Sequence, residues 1–560
     1  MESTLLRSLE PGQDLDAQLD ILSGTWPAGL HGHLFLIGVN LADASSALWA
    51  GLPWGGAGVM TRVDLAATAQ GRVPWMTRRL HTPDIDLAAA LKASEDPAAL
   101  QAVRSGFTNM SNTSMEFLGN RMVVTFDAGR LVEVDPHTLR YQSHVGAVSE
   151  HPAVLPHPLF PCVFTTAHPV EDPTRGGMWS CNLGFAPAGG TSMTDAESPL
   201  FVMHWDGEGE MDWWVAEGVT ITHGIHVVTV TERYVLFVET AYKPEPGVLF
   251  GQRRQTHHAP YTQVHIVRKE HLTKARRGGS VPCVSTRIPV ESFHQFTDFL
   301  QEGDDLTFFA VHANGWDLTL PLYPEDRVWR TGQALSPRQL GFVAMPSDAS
   351  PVGRYVLNGR TGQLEDAKTF VAPERHWGTL WYTRDTSKLE RGEYLWQTYQ
   401  GFEPELLVER QVRMYADHPH RVVRVEDLPR TDIPSSIACL RAQDLTEQSS
   451  WTFPRGSYAA SPCHVTDLAG GPGWVVVPVQ WPDRTELHVF EALNLGKGPI
   501  AVAAAPGVRL SYQLHSGWIA KLGPRGSSYF RPYANDLSPE WKDMPVKVRQ
   551  AVHSVVQRYS

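Results

Sequence analysis

Cysteine is scarce. The chain has five in 560 residues, Cys162, Cys181, Cys283, Cys439 and Cys463, an odd number at wide spacings with no Cys-x-x-Cys pair. That pattern argues against a disulfide framework and a thiolate zinc site, and it predicts a reduced, cytoplasmic protein. Long apolar runs are missing too: no window approaches the roughly eighteen residues a membrane-spanning helix needs. The opening MESTLLRSLEPGQDLD is too acidic, and its apolar run too short, for a secretory leader, so a soluble chain is expected. Positive charge is in deficit, with 48 Lys and Arg against 60 Asp and Glu and a net charge of -12. A nucleic-acid surface needs clustered cations to neutralise phosphates, so no nucleic-acid partner is expected. The short basic run Lys274–Arg277 reads as a solvated loop. The helix-borne His-Glu-x-x-His site of zinc proteases is absent.

What fills the chain is strand and turn. Arg121–Phe126, the turn Asp127–Arg130 and Leu131–Val134 read as a hairpin, as do Val227–Val230 with Tyr234–Glu239 and Gly473–Val479 with Thr485–Phe490. These runs are rich in β-branched and aromatic residues, which suit a pleated, half-buried surface. Eighteen Trp, 47 Gly and 41 Pro are spread along the chain with no low-complexity linker. The expectation is one all-β domain over residues 1–560, and periodicity alone leaves a propeller and a large sandwich open. Helical pattern is confined to Asp84–Phe107, which Pro97 divides into two short helices, and to Met544–Tyr559. There Val548, Val552, Val555 and Val556 share a face expected to pack on the sheets.

Of 24 histidines, four stand in or beside a β run next to a small or turn-forming residue: His168 in Phe164–Pro169, His226 in Gly224–Val228, His312 in Phe308–Asn314, and His515 in Ser511–Gly523. Far apart in the chain, they are placed as ligands converging from different parts of a closed or radial sheet would be. Imidazole suits iron, copper, zinc and nickel. His223 and His464 are rivals that spacing does not dismiss. On residue chemistry alone this is a soluble β protein with a candidate histidine metal site.

The same stretches carry a resemblance. Ile221–Tyr234, in which His226 is followed after four residues by Thr231-Glu232-Arg233-Tyr234, resembles a segment of the carotenoid cleavage oxygenases. Ala167-His168-Pro169 with Asp172-Pro173 is similar to that family's first ligand motif, and Leu514-His515-Ser516-Gly517-Trp518 to its C-terminal Phe-His-Gly. Gly24–Leu30 through Asn40, Gly55–Met60, Asn112-Thr113-Ser114 and Pro499–His515 follow in the family's order. The third ligand motif departs from the family's His-x-x-Asn-Ala: His312-Ala-Asn-Gly-Trp-Asp317 resembles a divergent bacterial form, with His294 in Ser292–Gln295 as competitor.

The resemblance implies a seven-bladed β-propeller, with a few short helices capping its top face and a C-terminal helix. It implies one Fe(II) per chain held by His168, His226, His312 and His515. The implied reaction is insertion of O2 across a conjugated C=C bond of a carotenoid, apocarotenoid or stilbene-like substrate, giving two carbonyl products. Family glutamates that orient the ligand imidazoles align here with Asp127, Ser461 and Gly498, of which only Asp127 is a carboxylate. Phe309, Trp316, Tyr512 and Trp518 are expected tunnel residues. The small Ser516-Gly517 step is expected to keep bulk away from the metal.

Three alternatives are carried. A redox-neutral isomerase of the same fold would consume no O2. A non-catalytic propeller would bind an apolar polyene or a protein. A zinc hydrolase is weaker, since catalytic zinc usually takes three protein ligands and water. Lipid-borne substrates make peripheral membrane contact an expectation, with Ala47–Trp54 and Asp84–Phe107 as the apolar stretches. Oligomeric state has no signal in the sequence.

Overall fold

The computed structural model describes residues 12–40, 55–184, 198–241, 258–318, 321–384, 392–525 and 529–560. The stretch Ala47–Trp54, read as a membrane patch, lies outside them.

The three hairpins form as expected. Arg121–Thr125 pairs antiparallel with Val132–Asp135, Ile225–Val230 with Tyr234–Glu239, and Trp474–Gln480 with Thr485–Glu491. Each is a local pairing across a short turn, and the turn fixes its register. Repeating the scheme produces four four-stranded sheets and one five-stranded sheet, all β blades in a propeller-like arrangement, together with one ten-stranded sheet.

This corrects the expected seven blades to five separate blades and one continuous sheet. The cause is Leu15–Gly24, which is hydrogen-bonded along both edges, to Ala501–Ala504 on one side and Arg72–Arg79 on the other. The ten-stranded ladder therefore runs unbroken from Tyr458–Ala459 to Tyr512–Ile519.

The edge strands adjoin one another in a closed ring. Each blade gives one: Ser114–Leu118, Val170–Glu171, Ile225–Val230, Ser292–Thr297 and Thr379–Arg384. The ten-stranded sheet closes the ring with Cys463–Val465 and Tyr512–Ile519. Side chains pointing inward from this ring meet at its centre.

Helices are few. Pro83–Ala93 starts at Thr82, whose hydroxyl accepts the Ile85 N–H, and Pro97–Ser105 starts at Asp96, whose carboxylate accepts from Ala98 and Ala99. In Val546–Arg558 the face Val548, Val552 and Val555 is buried. It packs on Leu87, Leu91, Ala99 and Val103 of the first two helices and on Leu159 and Phe160, so the expected packing on the sheets is corrected. Asp86 fastens the arrangement, accepting from Tyr559 Oη at 2.8 Å, from His81 Nδ1 at 2.8 Å and from Arg558. The apolar side of Asp84–Phe107 is thus covered by the chain itself. No helix of the described residues is long and apolar enough to cross a membrane.

Candidate metal centre

Four histidines meet at the centre of the ring: His168, His226, His294 and His515, with one nitrogen of each within 4.8 Å of the others. Their rings stand edge to face, with centroids 4.4 Å apart for His168 and His515 and 4.9 Å for His168 and His294.

Backbone irregularity aims them. The ladder of Ile225–Val230 slips between Ile225 and Val227, that of Ser292–Thr297 between Ser292 and His294, and that of Tyr512–Ile519 where Ile37 faces His515 and Gly38 faces Gln513. A bulge turns one side chain out of the alternating pattern, and here each bulge lies at or beside a histidine. Gly38 makes the last one fit, because a Cβ on it would stand 2.4 Å from the Tyr512 carbonyl oxygen. His168 precedes its strand and is held instead by a parallel bridge. Its N–H donates to the His226 carbonyl at 3.0 Å, and its own carbonyl accepts from Val228 at 2.9 Å.

His312 lies elsewhere. It ends Asp305–His312, the second strand of its blade, and is fully buried over Gly353, with Nε2 2.8 Å from Tyr355 Oη and Nδ1 3.2 Å from the Glu291 carbonyl. A strand with ladders on both sides cannot present its side chain to the ring centre. The strand before it, Ser292–Thr297, is the blade's inner edge and carries His294 there. The rivals are placed too. His223 pairs with Glu239 at 3.5 Å, and His464 stacks on Trp396 with Nε2 at the Pro472 carbonyl.

Asp127 faces His226, whose Nδ1 donates to its two oxygens at 2.9 and 3.1 Å. Ser461 lies beside the His515 strand, its hydroxyl 3.0 Å from that of Ser516. Gly498 is misplaced by the alignment. It occupies a turn beyond Thr485–Glu491, against the Trp451 ring. Gly517 does not clear the centre of the ring, since a Cβ on it would face Phe117 and Met115.

Among the expected tunnel residues, Trp316 packs edge to face on Phe293, next to His294, and Tyr512 packs on Phe342. These belong to one buried apolar cluster with Leu514 and with Val412 of the helix Glu409–Met414. Phe309 is stacked on Phe296 inside its blade, and Trp518 donates to the His31 carbonyl, so neither joins that cluster.

Burial, reinforced by the neighbouring imidazoles, holds His168 well below the usual histidine range and His515 down to about 3. Both are therefore neutral near pH 7, the form that ligates metals. His168 Nε2 is buried without a hydrogen-bonding partner among the described residues, although a buried polar atom normally has one. An ion about 2.1 Å from each imidazole nitrogen would set opposite ligands about 4.2 Å apart, close to the 4.8 Å within which the four nitrogens lie. The donor set fits a single first-row transition ion.

A family model described as RPE65, retinal pigment epithelial membrane protein, matches residues 9–520. Solved structures share the fold at low identity. A mutant of the Synechocystis apocarotenoid oxygenase is 16% identical, covers 92% of this chain and 98% of its own, and superposes with a TM-score of 0.59. The lignostilbene dioxygenase of Pseudomonas brassicacearum is 16% identical, with coverage of 91% and 97% and a TM-score of 0.60. A cobalt-substituted form of the Synechocystis enzyme is 17% identical, with coverage of 92% and 98% and a TM-score of 0.59. No curated protein matches in sequence.

Proposed function

This chain belongs to the carotenoid cleavage oxygenase family, and on that premise we propose that it is an Fe(II)-dependent dioxygenase cleaving a conjugated C=C bond of an apolar carotenoid, apocarotenoid or stilbene-like substrate. The observation that carries the reading is the convergence of His168, His226, His294 and His515. Iron(II) held by these four would supply activation of O2, both oxygen atoms ending in the two carbonyl products. The chain's own groups do the rest. Burial keeps the His168 and His515 imidazoles neutral, and Asp127 fixes His226 with its proton on Nδ1 and its lone pair on Nε2. Phe293, Trp316 and Tyr512, beside two of the ligands, offer an apolar, water-excluding wall for a flat conjugated substrate.

A second reading has its own support. Ser461 stands where the alignment expects a carboxylate, and among the described residues no carboxylate pairs with His515. A protein of this fold that binds a polyene without turning it over follows from that gap.

The test is protein loaded anaerobically with Fe(II), mixed with an apocarotenal or a hydroxystilbene and then given O2. One O2 consumed for two carbonyls formed supports cleavage. An isomerised product without O2 uptake, or binding without product, moves the assignment to the redox-neutral or the non-catalytic protein.

A further inference from the structure

We propose that Glu116 is a positioning residue for His168, its carboxyl facing the Nδ1 side of that imidazole as Asp127 faces that of His226; the proposal rests on the four-histidine site being a metal site. Glu116 lies mid-strand in Ser114–Leu118, and its Oε1 is 3.9 Å from His168 Nδ1. The other nitrogen of His168, Nε2, is the buried one with no hydrogen-bonding partner among the described residues. The ring is therefore turned with Nδ1 toward a carboxyl and Nε2 away from it. His226 has the same division, with Nδ1 on Asp127. Both carboxyls come from one blade, Glu116 from its inner strand and Asp127 from the turn after Arg121–Thr125, and they address the two histidines joined by the backbone bridge.

A purely structural role would give Glu116 a cation. Among the described residues its sole ionisable partner within 4 Å is His168. Arg384, the nearest cationic influence, donates to the Thr297 carbonyl at 3.2 Å and lies over the Phe296 ring. A carboxyl without a cation of its own, facing the second nitrogen of His168, has the place of an outer-sphere orienting group.

The test uses Co(II) as probe on the full chain, with titrated affinity and the visible absorption of the bound ion as readouts. Wild type, Glu116→Ala, Glu116→Gln and His294→Ala are compared, with the unfolding midpoint of each metal-free protein as a folding control. The expected result is a loss of about 10- to 100-fold in Co(II) affinity and a shifted visible band in Glu116→Ala. Glu116→Gln, which keeps an oxygen facing Nδ1, recovers most of both. Affinity within twofold of wild type and an unchanged band in Glu116→Ala overturn the positioning role while leaving the metal site standing. No Co(II) bound by wild type, or equal binding by His294→Ala, overturns the metal site and this proposal together.

Discussion

His168 and His226 are joined twice, by the 3.0 Å hydrogen bond from the His168 N–H to the His226 carbonyl and by rings whose centroids are 4.9 Å apart. Two of the four imidazoles are thus set by one backbone bridge, while His294 and His515 arrive from other sheets. Substitutions at the site should separate along these lines.

His294→Ala is expected to abolish stoichiometric binding of Fe(II) or Co(II), and His312→Ala to preserve it. The second change removes a fully buried ring and its hydrogen bond to Tyr355, so it should cost about 2–4 kcal/mol of stability. Metal analysis beside a denaturant titration of each variant checks both halves. Metal lost in His312→Ala and kept in His294→Ala would reverse the assignment.

Asp127→Ala should weaken metal binding about 10- to 100-fold by freeing the tautomer and orientation of His226. Asp127→Asn should fall between, because an amide oxygen still accepts from Nδ1 but carries no charge. Titration with Co(II) under anaerobic conditions measures both.

Asp172 gives the fold a pH-dependent fastening. Burial alone would raise this carboxyl, but Lys269, the Trp179 indole and the Arg175 N–H outweigh it and hold it at about 2, below its ordinary 3.8. A folded value below the unfolded one stabilises above the unfolded value and is lost as pH falls through the folded one. Asp172→Asn should therefore cost about 2 kcal/mol between pH 5 and 7. Its deficit against wild type should shrink below pH 4. Urea unfolding across that range shows whether the two curves converge.

Asp86→Ala should loosen the C-terminal helix by removing the acceptor shared by Tyr559, Arg558 and His81. Amide exchange over residues 546–558 should quicken while metal affinity stays put, since that cluster shares no residue with the four histidines. A parallel loss of metal would show the two regions to be coupled.

The hairpins were legible because pairing across a short turn is written into adjacent residues. His168, His226 and His515 were legible for a related reason, each lying in a short stretch with its own pattern. The choice between His294 and His312 was not. Both sit in apolar strands of one blade, and which strand forms the inner edge is decided by pairing with other sheets. Blade number was beyond local pattern altogether, since it turns on Leu15–Gly24 pairing with residues almost 500 positions later. The aromatic residues separate by face: Trp316 and Tyr512 lie in one apolar cluster with Phe293 and Leu514, the chain neighbours of His294 and His515, whereas Phe309 points into its own blade.

The ten-stranded sheet also sets an order of events during synthesis. His515 is placed by pairing of Tyr512–Ile519 with His33–Val39. At about 5–20 residues per second, a ribosome needs roughly half a minute to a minute and a half to make the chain between those strands. Until they meet, a nascent chain can offer three of the four imidazoles at most. The complete set exists only once the two ends of the sheet have found each other, so an ion held by all four histidines would mark a finished molecule and reward its closure.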